Sequence, residues 1–243
     1  DLLVLSGRLA EAGFALSVMD AIAEGIPSDV SGQRIRGWRP DIIVFLSSAS
    51  SWWIDRPFLQ QVAAETGARM IGCGEIFLGE PDGLFRENSW LEAGIRDFTD
   101  PEIPGFLRSG EPCPGLVRRA GFHGRDEPRP AGSREDRGNG TPVGSGPGTE
   151  SGHPERSGRI PKGQGPISYG VPRHELFPMG KYRYPYHRHH PFASLLTAYG
   201  CPFHCSFCNS GSLGFRLRDM GNICLELEHL RTLGFRQLFV KDM

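Results

Sequence analysis

No apolar run in this sequence approaches the roughly 20 residues that a membrane-spanning helix needs; residues 42–46, Ile-Ile-Val-Phe-Leu, make a typical one and have only the length of a strand. An excess of either charge is missing too. The formal net charge is −1, which leaves no global electrostatic footprint for DNA, RNA or an anionic membrane. Nothing cationic precedes the apolar start at residues 2–5, so no signal peptide is read and a cytoplasmic location is the default expectation. A spread of cysteines suited to a disulfide framework is also lacking. Of the six, at 73, 113, 201, 205, 208 and 224, three crowd into one short stretch. In a chain that is neither short nor visibly secreted, that distribution favours a metal or cluster site in a reducing compartment. The sequence opens on Asp1 inside a helical pattern and ends on a strand pattern, so a piece of a longer protein is expected.

Large apolar side chains nearly vanish over 121–166, a stretch that holds 12 of the 33 glycines and 7 of the 20 prolines. Such a segment cannot bury enough apolar surface to offset about 1–2 kcal/mol of backbone entropy per residue. A disordered linker is therefore expected there, between a first domain over 1–120 and a second over 167–243. Its mixed charges nearly cancel, which argues against a nucleic-acid-binding arm.

What is present before the linker alternates helix and strand signals. Leu2, Leu5 and Leu9 recur at helical spacing up to Gly13, and residues 14–19 form an apolar run ending at Asp20 that reads as a buried parallel strand. The run 42–46 gives a second strand, followed by the small polar loop Ser47–Ser51. Asp55 suits a helix cap, Pro57 a first turn, and Phe58, Val62 and Thr66 share one face up to Gly67. Residues 69–71 give another strand before Gly72 and Gly74. Repeated strand–helix units imply an α/β, doubly wound, Rossmann-like parallel sheet. Ligands of such sheets bind beyond the carboxyl ends of the strands, here at Asp20, Ser47, Ser48, Gly72 and Gly74. Beyond Leu107 the alternation breaks down.

After the linker, residues 191–199 read as a strand leading into a cysteine loop. Ile223, Leu227 and Leu230 then make a helical stripe, with Asn222 as its cap and Gly234 as its stop, and residues 237–240 make a second strand. Strand, loop, helix and strand in that order are the opening βαβ unit of a parallel barrel, whose chemistry sits at the C-terminal ends of the strands.

The loop itself is Cys201-Pro-Phe-His-Cys205-Ser-Phe-Cys208. Three thiolates at such close spacing can hold three corners of a [4Fe–4S] cluster. No fourth cysteine lies in the loop, so one iron is left for an external ligand. A structural zinc site is the bland alternative, and it would need His204 or Cys224 as a fourth ligand. Cys73, Cys113 and Cys224 read as buried or inert thiols, and His187-Arg-His189-His190 as an exposed basic segment.

The segment from Thr197 to Cys208 resembles the signature of the radical S-adenosylmethionine (SAM) superfamily. It is most similar to the subgroup with a cobalamin-binding domain ahead of the barrel, and Pro172-Arg-His-Glu-Leu-Phe-Pro178 with Tyr182 and the N-terminal α/β pattern resemble it as well. The resemblance implies an enzyme that binds a [4Fe–4S] cluster through Cys201, Cys205 and Cys208. It would cleave SAM reductively to methionine and a 5′-deoxyadenosyl radical that attacks a small-molecule substrate. It implies an electron donor such as flavodoxin or ferredoxin. It places Phe207 near the adenine, Asp242 near SAM, and Ser47, Gly72 and Gly74 where family loops approach a corrin, with cobalamin as a possible second cofactor. The Asp-x-His-x-x-Gly element that carries a cobalt-ligating histidine is absent from these residues.

Overall fold

The computed structural model describes residues 1–79, 81–119, 165–203, 205–208 and 210–242. The linker expected over 121–166 lies almost wholly outside them.

The chain opens with α1 (Leu2–Glu11), the short α2 (Ala21–Glu24) and α3 (Ser28–Trp38). Three parallel strands follow, β1 (Ile42–Leu46), β2 (Arg69–Cys73) and β3 (Leu91–Ile95), separated by α4 (Trp52–Thr66) and α5 (Asp82–Glu87). After α6 (Ile103–Ser109), β4 (Leu116–Arg118) returns antiparallel to β3, so the sheet order is β1-β2-β3-β4. Both faces are covered. Alternate strand residues Ile71, Cys73, Ala93 and Ile95 pack with Val4, Leu5 and Leu9 of α1 and Ile103, Phe106 and Leu107 of α6. Phe45, Met70 and Leu91 pack on the other face with Leu59, Phe77 and Phe85. That two-sided burial is why β1 and most of β2 and β3 are apolar rather than alternating, the buried Glu92 of β3 being paired with Arg69, and it makes this part a doubly wound α/β unit.

Several sequence expectations change here. Residues 14–19 join no ladder. Phe14, Leu16 and Val18 are half-buried and Ala15 and Ser17 exposed, the period of an extended segment. A strand needs a partner's backbone as well as its own pattern, and among the described residues none pairs with this run. Helix α4 begins at Trp52 rather than beside Pro57, so Asp55 lies in its first turn and caps nothing. The pattern does not end at Leu107, since α6 runs on to Ser109 and β4 follows.

The second part contains β5 (Phe192–Leu195), β6 (Ala198–Tyr199), β7 (Arg216–Leu217), α7 (Met220–Thr232) and β8 (Gln237–Val240). Strands β5 and β8 pair in parallel across α7, the expected βαβ unit, and no closed barrel is formed among the described residues. The single strand expected over 191–199 is broken at Leu196 and Thr197, and β6 pairs instead with β7, antiparallel. Asp219, not Asn222, caps α7: its carboxylate accepts from the Asn222 amide at 2.8 Å. Gly234 ends the helix at φ 82°, where the Phe235 amide reaches back to the Leu230 carbonyl.

The two parts share one core. Ile167, Tyr169, Tyr199 and Leu213 are buried in the same cluster as α1, α6 and the sheet. Gly7 of α1 packs so closely on the Gly170 and Val171 carbonyls that a Cβ would not fit.

Candidate functional site

The cysteine loop leaves the end of β6 and returns into β7, so the pairs Ala198–Leu217 and Tyr199–Arg216 close its neck. Gly200 follows at φ 79°, against the Gly214 carbonyl with no room for a Cβ. Both the left-handed backbone and the close crossing require glycine there. Beyond this crossing Cys201 is half-buried, while Cys205 and Cys208 are exposed. The Cys208 amide donates to the Cys205 carbonyl at 3.1 Å, forming a turn that carries both thiols. Hydrogen bonding with Ser210 holds the Cys208 thiol below its usual pKa, toward the thiolate that ligates metal. Phe203 and Phe207 stand out in solvent, Phe207 at 90 % exposure.

The donor chemistry suits an iron–sulfur cluster: three accessible thiols on one loop, one of them favoured as thiolate. Among the described residues the thiols are not drawn into a three-ligand group. Cys224, expected buried, is exposed on α7, whereas Cys73 is buried and Cys113 half-buried. Burial pushes the Cys73 thiol up to about 11 and the Cys113 thiol to about 12, away from the thiolate form. His187 stacks on Phe192 at 3.5 Å between ring centroids, within an aromatic cluster with Tyr184 and Phe239.

Asp242, just past β8, reaches across to the neck. Its carboxylate accepts from the Thr197 amide at 2.8 Å, the Ala198 amide at 2.9 Å and the Thr197 hydroxyl. Partial burial would raise its pKa, but these hydrogen bonds outweigh it and the carboxyl sits below its ordinary value. Asp242 therefore braces the break between β5 and β6.

In the N-terminal unit, Ser47 is buried and its hydroxyl donates to Asp55 at 2.6 Å; Ser51 donates to the same oxygen at 2.7 Å. Gly72, with Gly94 beside it on β3, forms a flat seat for the buried Phe77 ring. Gly74 lies at φ 121° against the Ser47 carbonyl. Each of the three thus has a partner inside the domain. Leu46, Trp53 and Ile54, next to this loop in sequence, are exposed and apolar. Asp20 caps α2 and accepts from the Tyr182 hydroxyl at 2.9 Å, tying the two parts together.

The sequence reading missed a buried polar network beneath the site. Glu226 of α7 is 2 % exposed and binds His174 at 2.9 Å and Arg218. Arg218 also donates to Asn222 Oδ1 at 2.7 Å and to the Leu196 carbonyl at 3.1 Å, and its guanidinium lies 4.1 Å from the Tyr169 ring centroid. A signal for it existed: Glu226 falls on the apolar stripe between Ile223 and Leu230, where a charge is out of place unless paired. It missed as well the contacts of the loop's neck with Arg96, Asp97, Phe98 and Thr99 after β3, which nothing in the local sequence marks.

No family model and no curated protein matches the chain. Solved structures do. A radical S-adenosylmethionine methyltransferase, TsrM, from Kitasatospora setae, with tryptophan substrate and the SAM analogue aza-SAM bound, superposes with TM-score 0.61 at 17 % identity over 99 % of this chain. The same protein with cobalamin and a [4Fe–4S] cluster bound gives TM-score 0.57 at 16 % identity. The chain spans 44 % of the length of either. At this identity the likeness is one of fold.

Proposed function

We propose that this chain is the cobalamin-domain-like and cluster-binding portion of a radical SAM enzyme acting on a small-molecule substrate. The carrying observation is the position of Cys201, Cys205 and Cys208, on one open loop closed at its neck by β6 and β7, in a βαβ unit packed on a Rossmann-type sheet. The fold likeness to a radical SAM methyltransferase supports the reading.

In this reading the three thiolates hold a [4Fe–4S] cluster and leave one iron for SAM. Such a cluster, when bound and reduced, would supply the electron for reductive cleavage of a carbon–sulfur bond of SAM. The protein's share is positional. Ser210 favours the Cys208 thiolate, Asp242 fixes the backbone from which the loop departs, and the exposed ring of Phe207 is available to cover an adenine. An external donor of the flavodoxin or ferredoxin kind delivers the electron. Cobalamin is the second cofactor of the proposal, beyond the carboxyl ends of β1 and β2, where the exposed Leu46, Trp53 and Ile54 would offer an apolar rim, while Ser47, Gly72 and Gly74 shape the sheet end through Asp55, Phe77 and the Ser47 carbonyl rather than by meeting the corrin.

Anaerobic reconstitution with iron and sulfide tests this. The wild-type chain is expected to give a reducible [4Fe–4S] signal in EPR that SAM perturbs, and Cys205→Ala to lose it. A colourless protein, or one that takes up zinc and no sulfide, refutes the reading. Added hydroxocobalamin is expected to co-elute with the chain and shift in absorbance; unchanged free cobalamin removes that part alone.

A further inference from the structure

The neck of the cysteine loop is gripped from outside its own unit. Tyr199, the last residue of β6, is 1 % exposed and sits edge-on to Phe98 with ring centroids 4.7 Å apart. Its hydroxyl donates to the Arg96 carbonyl at 3.3 Å. Across the ladder Arg216, the first residue of β7, binds the buried carboxylate of Asp97 and donates to the Thr99 hydroxyl at 3.0 Å. Asp97 is held in turn by the Thr99 amide at 2.9 Å and by the Thr99 hydroxyl. The Arg216 guanidinium also lies over the Tyr199 ring, 5.3 Å from its centroid. Both residues of one cross-strand pair thus dock on a single turn of the N-terminal unit, between β3 and α6, two residues before Cys201 on one side and just after the Gly200–Gly214 crossing on the other.

The alternatives to a positioning role are weak. A two-residue antiparallel pair is too short to hold a loop closed by its own backbone, and Asp242 braces only the β6 side. On the β7 side Arg218, just past the strand, is anchored by Glu226 and the Leu196 carbonyl, and the grip on the strand's own Arg216 comes from Asp97 and Thr99. Asp97 is 2 % exposed, and a buried carboxylate is costly unless it is paired and hydrogen-bonded, as it is here by Arg216 and Thr99.

We infer that the turn carrying Asp97, Phe98 and Thr99 is a positioning element for the cysteine loop: the N-terminal unit clamps Tyr199 and Arg216 and thereby sets the base from which Cys201, Cys205 and Cys208 reach their metal. The inference deepens the proposed function and rests on it for the metal. Asp97 and Arg216 are positioning residues: they bind each other, Thr99 and the Tyr199 ring. The clamp makes occupation of the cluster depend on the packing of the N-terminal unit, whatever that unit binds.

The test uses the full chain with Arg216→Gln, Arg216→Lys and Tyr199→Phe. Hydrogen exchange of the metal-free protein reads the clamp alone. Arg216→Gln leaves the buried Asp97 carboxylate without its cation, a loss that raises an opening equilibrium by at least roughly tenfold, so the neck amides are expected to exchange at least that much faster. Amides of β1, β2 and β3 are expected to keep their wild-type rates, which separates local opening from unfolding. Tyr199→Phe, which keeps the ring, is expected to give a smaller change, and Arg216→Lys to recover part of it. Chelator-driven loss of the reconstituted cluster reads the positioning, and Arg216→Gln is expected to lose its cluster about tenfold faster than wild type. Unchanged exchange at the neck overturns the clamp. Faster exchange with an unchanged rate of cluster loss overturns the positioning role. If the wild-type chain takes up no cluster, the proposed function fails, and the positioning of a metal site falls with it, while the exchange rates still report whether the neck is clamped.

Discussion

Replacing Glu226 by leucine should be among the most damaging single changes in the C-terminal unit. The carboxylate is 2 % exposed, and the side chains of its two partners, His174 and Arg218, are fully buried. Leucine fits the apolar stripe of α7 between Ile223 and Leu230 but abandons both. Arg218 keeps Asn222, the Leu196 carbonyl and the Tyr169 face as neutral partners. It loses the only carboxylate bonded to it among the described residues. His174 loses its Nε2 partner, and its Nδ1 has none among the described residues. Breaking a buried ion pair from one side costs about 3–5 kcal/mol. The neutral acceptors left to Arg218 pull toward the lower end and the orphaned imidazole toward the upper, so we expect about 4 kcal/mol. For a domain of this size each kcal/mol moves the midpoint by about 2–4 °C, so calorimetry should show Tm falling by roughly 8–16 °C, with a matching shift in urea midpoint. Adding Arg218→Met removes the stranded cation and should recover at least about 2 kcal/mol, since buried ion pairs replaced whole by apolar residues are often neutral. A loss under about 1 kcal/mol for the single variant, or a double variant worse than the single, would refute the assignment of this network as a charge-balanced unit.

Gly94→Ala should destabilise by about 1–3 kcal/mol through overpacking against the Phe77 ring, with part recovered by Phe77→Leu in urea titrations. The Asp242 brace belongs to a carboxylate whose folded pKa is depressed; its stabilisation is present above the unfolded pKa and is lost as pH falls through the folded one. Exchange protection of the Thr197 and Ala198 amides should therefore persist at pH 7 and 5, fade below about pH 4, and be weak at every pH in Asp242→Ala. Alkylation of the metal-free native chain near pH 8, read by mass spectrometry, should label Cys208 early and leave Cys73 untouched, because burial lifts the Cys73 thiol to about 11 while Ser210 lowers that of Cys208. The raised Cys73 pKa contributes stability that is present below the unfolded thiol pKa and lost as pH rises toward 11. Labelling of Cys73 at the rate of Cys208 would contradict its burial.

Local chemistry made part of this protein legible without coordinates. The apolar runs that became β1 and β2, the helical stripe of α1, the stop at Gly67 and the order strand, cysteine loop, helix, strand all depend on residues near one another in the chain, and all of them formed. The close spacing of Cys201, Cys205 and Cys208 states its donor chemistry in the sequence itself. Where the reading failed, the missing information was a partner. Residues 14–19 carry an extended apolar pattern, but pattern does not supply the neighbouring backbone that makes a strand. Asn222 and Asp55 look like caps, and only the observed starts of α7 and α4 give the capping positions to Asp219 and Ser51. Tertiary structure alone decided that Gly72 and Gly94, on different strands, share the seat of one phenylalanine ring, and that the buried charge of Glu226 is balanced by Arg218 beside a histidine far away in sequence. It alone decided that Asp97, on the far side of a long stretch of chain, holds Arg216 at the neck of the cysteine loop. Spacing along a chain fixes which donors lie close together; the enclosure that makes a charge pair worth holding, and the surface that clamps a loop, come from segments that meet only after folding.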